Sequence, residues 1–79
     1  MPATHFKWQH VTTYTEKTAE GKASARRLNM LMVAREFAKV PAGGWFLDLS
    51  EEVTPAEDDR EWIKDLTTTV ELRRRRKRT

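Results

Sequence analysis

Six of the last seven residues of this 79-residue chain are cationic, and they read Arg73-Arg74-Arg75-Arg76-Lys77-Arg78-Thr79. Isolated guanidinium and ammonium groups cannot enter a core without partners, so this segment must stay in water or meet a polyanion. Arginine offers a planar donor fork that matches phosphate oxygens, and each neutralised phosphate releases condensed counterions. The segment therefore predicts contact with a nucleic-acid backbone, without sequence preference. The alternative is a solvated terminus that only aids solubility.

The remainder of the chain is not basic. Residues 1–47 hold seven basic and three acidic side chains, whereas residues 48–65 hold eight acidic and two basic ones. Without residues 73–79 the formal net charge of +3 would become −3. Two arrangements stay open: the basic segment is a free arm, or it folds back onto the acidic zone. Folding back requires direct contact, because the screening length at physiological salt is about 8 Å.

A second, smaller basic group surrounds the start of the main predicted helix. Its members are Lys22, Arg26 and Arg27. Cations in the first turn of a helix are unfavourable because they oppose the helix dipole. Binding of an external anion would explain why they are placed there. The alternative is that Glu16 or Glu20 neutralises them.

Three tryptophans in so short a chain raise the possibility of base stacking, which is worth roughly 1–3 kcal/mol per base. Trp8 lies between Lys7 and Gln9 and is the best candidate for exposure, whereas Trp45 and Trp62 have apolar neighbours. Packing in the core is the alternative for all three.

The acidic zone supports a second functional hypothesis, in which the chain is an inhibitor, adaptor or assembly subunit. A basic protein surface would then contact this zone or the main helix. The residues assigned to that contact are Glu57, Asp58, Asp59 and Glu61. The alternative is a solvated helix with ordinary capping acids.

Catalytic and metal-binding patterns are missing. The chain contains no cysteine, and His5 and His10 are five residues apart, a spacing that places them together on neither a strand nor a helix. Zinc-finger, phosphate-loop and dinucleotide-binding fingerprints are also missing. We therefore expect no metal, no cofactor and no enzymatic activity.

Size and hydropathy bound the class of protein. Without disulfides or a structural metal, the core of a domain of this length rarely contributes more than about 3–5 kcal/mol of stability. This favours a homodimer or a protein partner. The longest apolar run, residues 30–34, is far shorter than the roughly 20 residues of a membrane span. We expect a cytoplasmic protein without membrane contact, of the kind that serves as a viral or mobile-element accessory protein.

Hydrophobic periodicity predicts the order strand–helix–strand–helix–(strand). Residues 5–15 alternate as a strand, and a helix runs from a cap at Ser24 to Pro41. Residues 45–49 read as a short strand. Thr54-Pro55-Ala56-Glu57 has the pattern of a capping box and predicts a second helix to Leu66.

Residues 67–72 are ambiguous, because the threonines and Val70 favour a strand whereas the spacing of Trp62, Leu66 and Val70 would extend the helix. We favour the strand. The prediction is one small α+β domain over residues 1–72, with a sheet covered by one main helix, followed by an extended or disordered basic segment over residues 73–79.

Overall fold

The computed structural model describes residues 5–58 and 60–74. Within them the chain forms a small single-domain α+β fold with one helix and three strands. The elements are β1 (His5–Thr15), α1 (Gly21–Phe37), β2 (Trp45–Pro55) and β3 (Ile63–Arg74). The sheet has the order β1-β3-β2, and both pairings are antiparallel.

The central strand is β3, and its alternating pattern explains its position. Leu66, Thr68, Val70 and Leu72 are buried, while the residues between them are half-buried. Because β1 and β2 flank β3 on both sides, their side chains also shield the face of β3 that α1 does not cover. The buried row, three apolar residues and one threonine at every second position, therefore suits β3 for the middle of the sheet.

Helix α1 packs over β1 and β3 and leaves β2 uncovered. Its inner row is Ala25, Asn29 and Val33, at the four-residue spacing that keeps side chains on one helical face. Gly21 begins the helix next to the end of β1, where a Cβ atom would collide with the Thr15 carbonyl oxygen. The helix thus begins three residues before the predicted cap at Ser24, and Glu20 precedes it without a side-chain cap.

The core combines apolar and polar side chains. Ala25, Val33, Leu66 and Val70 are at most 1% exposed, and so are Asn29 and Thr68. The amide Nδ2 of Asn29 donates to the Leu66 carbonyl and to the Thr68 hydroxyl, each at 3.0 Å. The Thr12 hydroxyl donates to Asn29 Oδ1 at 2.6 Å, so this polar centre is internally paired.

The predicted second helix over residues 54–66 is wrong. Strand β2 continues through Thr54 to Pro55, and a turn joins it to β3 at Ile63. The Asp58 carboxylate accepts hydrogen bonds from the backbone and the side chain of Arg60, each at 2.9 Å. Such a local bond favours a turn over a helix.

Pairing on both edges of β3 also outweighs the local capping signal, because β3 buries its apolar row only as a strand. The strand favoured for residues 67–72 is confirmed, and it begins four residues earlier than predicted, at Ile63. It also includes Arg73 and Arg74, so it crosses the predicted boundary at residue 72.

Candidate nucleic-acid interface

The first two arginines of the basic segment are the last residues of β3. Arg73 is level with His5 on β1 and Phe46 on β2, and Arg74 pairs with Trp45. The strand register therefore brings the basic segment to the end of the sheet where β1 and β2 begin. Arg75, Arg76, Lys77 and Arg78 lie outside the described residues.

Arg73 contacts a carboxylate of its own strand. Its guanidinium hydrogen-bonds to Glu71, and His5 Nε2 lies 3.5 Å from the same carboxylate. The Arg73 hydrogen bond is the main cause that lowers the pKa of Glu71 below its ordinary value. Because the Arg73 side chain is 65% exposed, solvent and salt weaken this pair, and phosphate can exchange with Glu71.

Arg74 lies over an aromatic ring. Its guanidinium carbon is 5.6 Å from the ring centroid of Trp45, within the range of a cation–π interaction. Trp45 is fixed in turn by its indole N–H, which donates to the Pro41 carbonyl at 2.9 Å. Arg74 has no acidic partner among the described residues, so its hydrogen-bond donors remain available to an anion.

Aromatic rings cluster at the same end of the sheet. Phe6 stacks on Trp8 with centroids 5.4 Å apart, and it meets Trp45 edge-on at 5.3 Å. Trp8 also meets Phe37 edge-on at 6.5 Å. Trp8, the predicted stacking platform, is half-buried on the face of the sheet that α1 covers. Trp62 is the exposed tryptophan, at 36%, and Lys17 Nζ lies 3.8 Å above its ring.

The predicted basic group on the helix divides into paired and unpaired cations. Arg26 binds Glu51 of β2 with two bonds, Nε to Oε1 at 2.6 Å and Nη2 to Oε2 at 3.0 Å. The hydrogen bond raises the pKa of Arg26 and lowers that of Glu51, and the charge of Lys22 lowers the Glu51 pKa further. The partner of Arg26 is thus Glu51, and neither Glu16 nor Glu20.

Arg27 belongs to a different helical face. Arg27, Leu31 and Arg35 follow each other at four-residue spacing, which makes one exposed row on α1. Neither arginine has an acidic partner in the described part of the chain. Their Cα atoms are about 12 Å apart along the helix. Sequence reasoning did not assign Arg35, although its spacing from Arg27 was the available signal.

The two basic groups lie at different levels of the sheet. Glu51, the partner of Arg26, is level with Thr68, six residues before Arg74 in β3. Six strand residues correspond to about 20 Å. The structure therefore does not gather Arg26 and Arg74 into one compact cluster, and a shared ligand must be extended.

The turn between β2 and β3 lies at the opposite end of the sheet from Arg74. It contains three of the residues assigned to protein binding, Glu57, Asp58 and Glu61, and the fourth, Asp59, lies outside the described residues. Arg60 holds Asp58 by hydrogen bonds to its side chain and lowers the pKa of that carboxyl to about 2. Glu57 and Glu61 are exposed.

Chain length limits how the basic segment can be neutralised. Trp45 is level with Arg74, and Pro55 is ten strand residues, about 34 Å, farther along β2. Four extended residues span at most about 14 Å. The distance from Arg74 to the turn between β2 and β3 is therefore longer than a four-residue extended segment, and both arrangements of the basic segment stay open.

The described residues contain no group of three metal-ligating side chains. Among the described residues, His10 Nε2 is buried and has no hydrogen-bond partner. In the described part of the chain, α1 lacks the length and the hydropathy of a bilayer-crossing helix.

Comparison of the chain with protein-family models, curated proteins and solved structures found no match.

Proposed function

We propose that this protein binds nucleic acid through the phosphate backbone and carries out no catalysis. The principal contacts come from the basic segment that begins at the end of β3. The observation that carries this proposal is Arg74, whose guanidinium lies over the Trp45 ring and has no acidic partner among the described residues. Four further cations follow it in the sequence. A cation–π contact uses none of the guanidinium N–H donors, which therefore stay free to bond phosphate oxygens.

The neighbouring residues supply exchangeable contacts. Arg73 contacts Glu71 at the surface, and exposed ion pairs of this kind contribute little. A phosphate can therefore replace Glu71 without a large loss. Arg26 is different, because two hydrogen bonds hold its guanidinium to Glu51, so its charge becomes available to a phosphate only when Glu51 is neutralised.

The helix provides a second set of contacts. Arg27 and Arg35 form an exposed row without acidic partners in the described chain, and Lys22 lies one turn before Arg26. An extended strand of nucleic acid could run from the end of β3 along α1 and meet both sets. Arginine and lysine contacts to phosphate carry no sequence information, so we propose binding without sequence preference.

Fluorescence anisotropy with a labelled 20-base-pair duplex, titrated with protein between about 50 and 300 mM salt, tests the proposal. Replacing the five cations of residues 74–78 by glutamine should make the negative slope of log K against log salt shallower by about 4–5, at about 0.9 per lost contact. Single-stranded DNA and RNA of the same length identify the preferred nucleic acid.

A pair of matched double variants separates a local effect from a general charge effect. Arg75→Gln with Arg76→Gln should reduce the slope by about 1.8. Lys17→Gln with Arg60→Gln removes the same charge at the opposite end of the sheet and should leave the slope unchanged. Equal losses in both variants, or full affinity of the five-residue variant, would contradict the proposal.

A second candidate function is protein binding through acids of residues 48–65. The exposure of Glu57 and Glu61 supports it at the turn. If that function holds, neutralising Glu57, Asp58, Asp59 and Glu61 abolishes partner binding, whereas deleting residues 73–79 does not. In either case we propose a small cytoplasmic accessory protein of viral or mobile-element type.

A further inference from the structure

We propose that the free edge of β2 binds a cationic β-strand of a partner protein, which adds a fourth strand to the sheet. This surface lies within the acidic zone of residues 48–65, but it is the edge of β2 and not the turn that carries Glu57, Asp58 and Glu61. The inference does not depend on nucleic-acid binding.

The first observation is the open backbone edge. β2 pairs with β3 along all eleven residues from Trp45 to Pro55, without a bulge. In the described structure no strand lies on its other side. Exposed edge strands are usually protected by lysines, internal prolines, bulges or a covering helix. β2 has no lysine, its only proline is its last residue, and α1 lies over the other two strands.

The second observation is an apolar row on β2, on the same face of the sheet as α1 but on the strand that the helix leaves uncovered. Leu47 is 53% exposed, Leu49 is 48% exposed and Val53 is 39% exposed. Their cross-strand neighbours Leu72, Val70 and Leu66 are buried. The apolar core therefore continues sideways onto β2 and stops without a cover. An added strand with apolar side chains on this face would extend the core by one row.

The third observation is the charge of β2, which determines the chemistry of the partner. The strand carries Asp48, Glu51 and Glu52 and no cation. Arg26 forms a salt bridge with Glu51, but Asp48 and Glu52 have no cationic partner among the described residues. Asp48 even lies level with Glu71, a like charge. Asp48 and Glu52 lie on the opposite face of the sheet from the apolar row, since strand residues alternate between the two faces. A partner strand should therefore alternate lysine or arginine, on the face of these acids, with apolar residues, on the face of the apolar row.

A second copy of β2 fits this edge less well. Antiparallel pairing of two β2 strands about Ser50 would place Asp48 opposite Glu52 twice. Directly opposed like charges destabilise a strand pair. The charge pattern therefore favours a cationic partner over self-pairing.

The full chain and a synthetic peptide test the assignment. The probe is an eleven-residue peptide of alternating lysine and valine with blocked termini, added to ¹⁵N-labelled protein at low salt. We expect amide shift changes confined to β2 and its neighbours in β3, because the peptide hydrogen-bonds along that edge. A peptide of the same composition with lysines and valines in separate blocks controls for net charge, and N-methylation of alternate residues removes the edge hydrogen bonds.

The decisive variant is Asp48→Asn with Glu52→Gln, which keeps shape and removes two charges. It should weaken binding of the alternating peptide about 10-fold, consistent with two lost cross-strand charge pairs. Glu57→Gln with Glu61→Gln removes two charges at the turn and should change nothing. Circular dichroism confirms that both variants are folded.

Three outcomes would overturn the proposal. The first is equal affinity for the alternating, block and N-methylated peptides. The second is an undiminished affinity of the Asp48/Glu52 variant. The third is concentration-dependent self-association through β2, seen by sedimentation, which would assign the edge to a second copy. Replacing the cations of residues 74–78 by glutamine should leave peptide binding intact, so failure of the proposed nucleic-acid function and failure of this surface are distinguishable.

Discussion

Arg26 of α1 binds Glu51 of β2 in a two-pronged pair, with nitrogen–oxygen distances of 2.6 and 3.0 Å. This pair links the helix to the one strand that it does not cover. It also determines which helical cations are available to an external anion. Arg26 is held by a carboxylate, whereas Arg27, the next residue, points to a different face and has no acidic partner in the described structure.

The pair yields a prediction about affinity for nucleic acid. Glu51→Gln removes the carboxylate charge and leaves Arg26 free to meet a phosphate. We expect tighter binding at low salt and a salt slope steeper by about 0.9, the value of one added contact. Anisotropy titrations across salt concentrations measure both quantities. The control is Glu52→Gln, which removes the same charge without releasing Arg26, and a change of slope in both variants would contradict the explanation.

Local patterns predicted the first half of the fold well. The alternation of residues 5–15 and the apolar periodicity before Pro41 correspond to β1 and α1, because both patterns act within a few neighbouring residues. The start of α1 was less predictable. It depends on the close approach of Gly21 to the Thr15 carbonyl, which involves the preceding strand.

The second half shows where local signals fail. Thr54, Pro55 and Glu57 have the spacing of a capping box, but the chain there ends a strand. The stability of β3 comes from pairing with β1 and β2, whose residues are up to 68 positions away in the register of His5 with Arg73. Residue spacing within a short window carries no information about such partners.

The candidate interface was likewise predictable only in part. The cluster of cations after Leu72 is visible in the sequence. The contact of Arg74 with Trp45, 29 positions earlier, depends on the strand register. Trp8 illustrates the same limit. Its polar neighbours suggested exposure, yet they point to the other face of β1, and the ring itself packs with Phe6 and Phe37.

Asn29 should be essential for the stability of the fold. Asn29→Ala removes the acceptor of Thr12 and the donor to Leu66 and Thr68, leaving polar groups buried without partners. Each such group costs about 1–3 kcal/mol, so we expect a loss of at least about 2 kcal/mol, a large fraction for a domain of this size. Urea denaturation measures it. Leu31→Ala, on the exposed face of the same helix, should cost under about 0.5 kcal/mol, and similar losses in both variants would contradict this role.

Replacing His10, in contrast, should not destabilise the fold. Its Nε2 atom is buried without a hydrogen-bond partner, and an unsatisfied buried polar atom is a source of instability. His10→Leu replaces it by an apolar side chain beside the apolar groups of α1. We expect unchanged stability or a gain of up to about 1 kcal/mol in urea denaturation. A clear loss of stability would show that His10 makes a contact that the buried nitrogen does not indicate.

Asp58 connects the turn to the acid stability of the protein. Its hydrogen bonds with Arg60 lower its pKa from 3.8 to about 2. A carboxyl with a lowered folded-state pKa stabilises the fold above its unfolded pKa, and the contribution disappears as the pH falls through the folded value. The contribution of Asp58 is therefore complete above about pH 5 and is lost towards pH 2.

Melting temperatures measured between pH 6 and pH 2 test this assignment. Asp58→Asn should lower the melting temperature at pH 6 and make its decline towards pH 2 shallower, because the variant has no such proton to bind. The difference between variant and parent should shrink in 1 M salt, since the pair is at the surface and exposed charges are screened. Parallel declines of the two proteins over this pH range would show that Asp58 does not contribute to acid sensitivity.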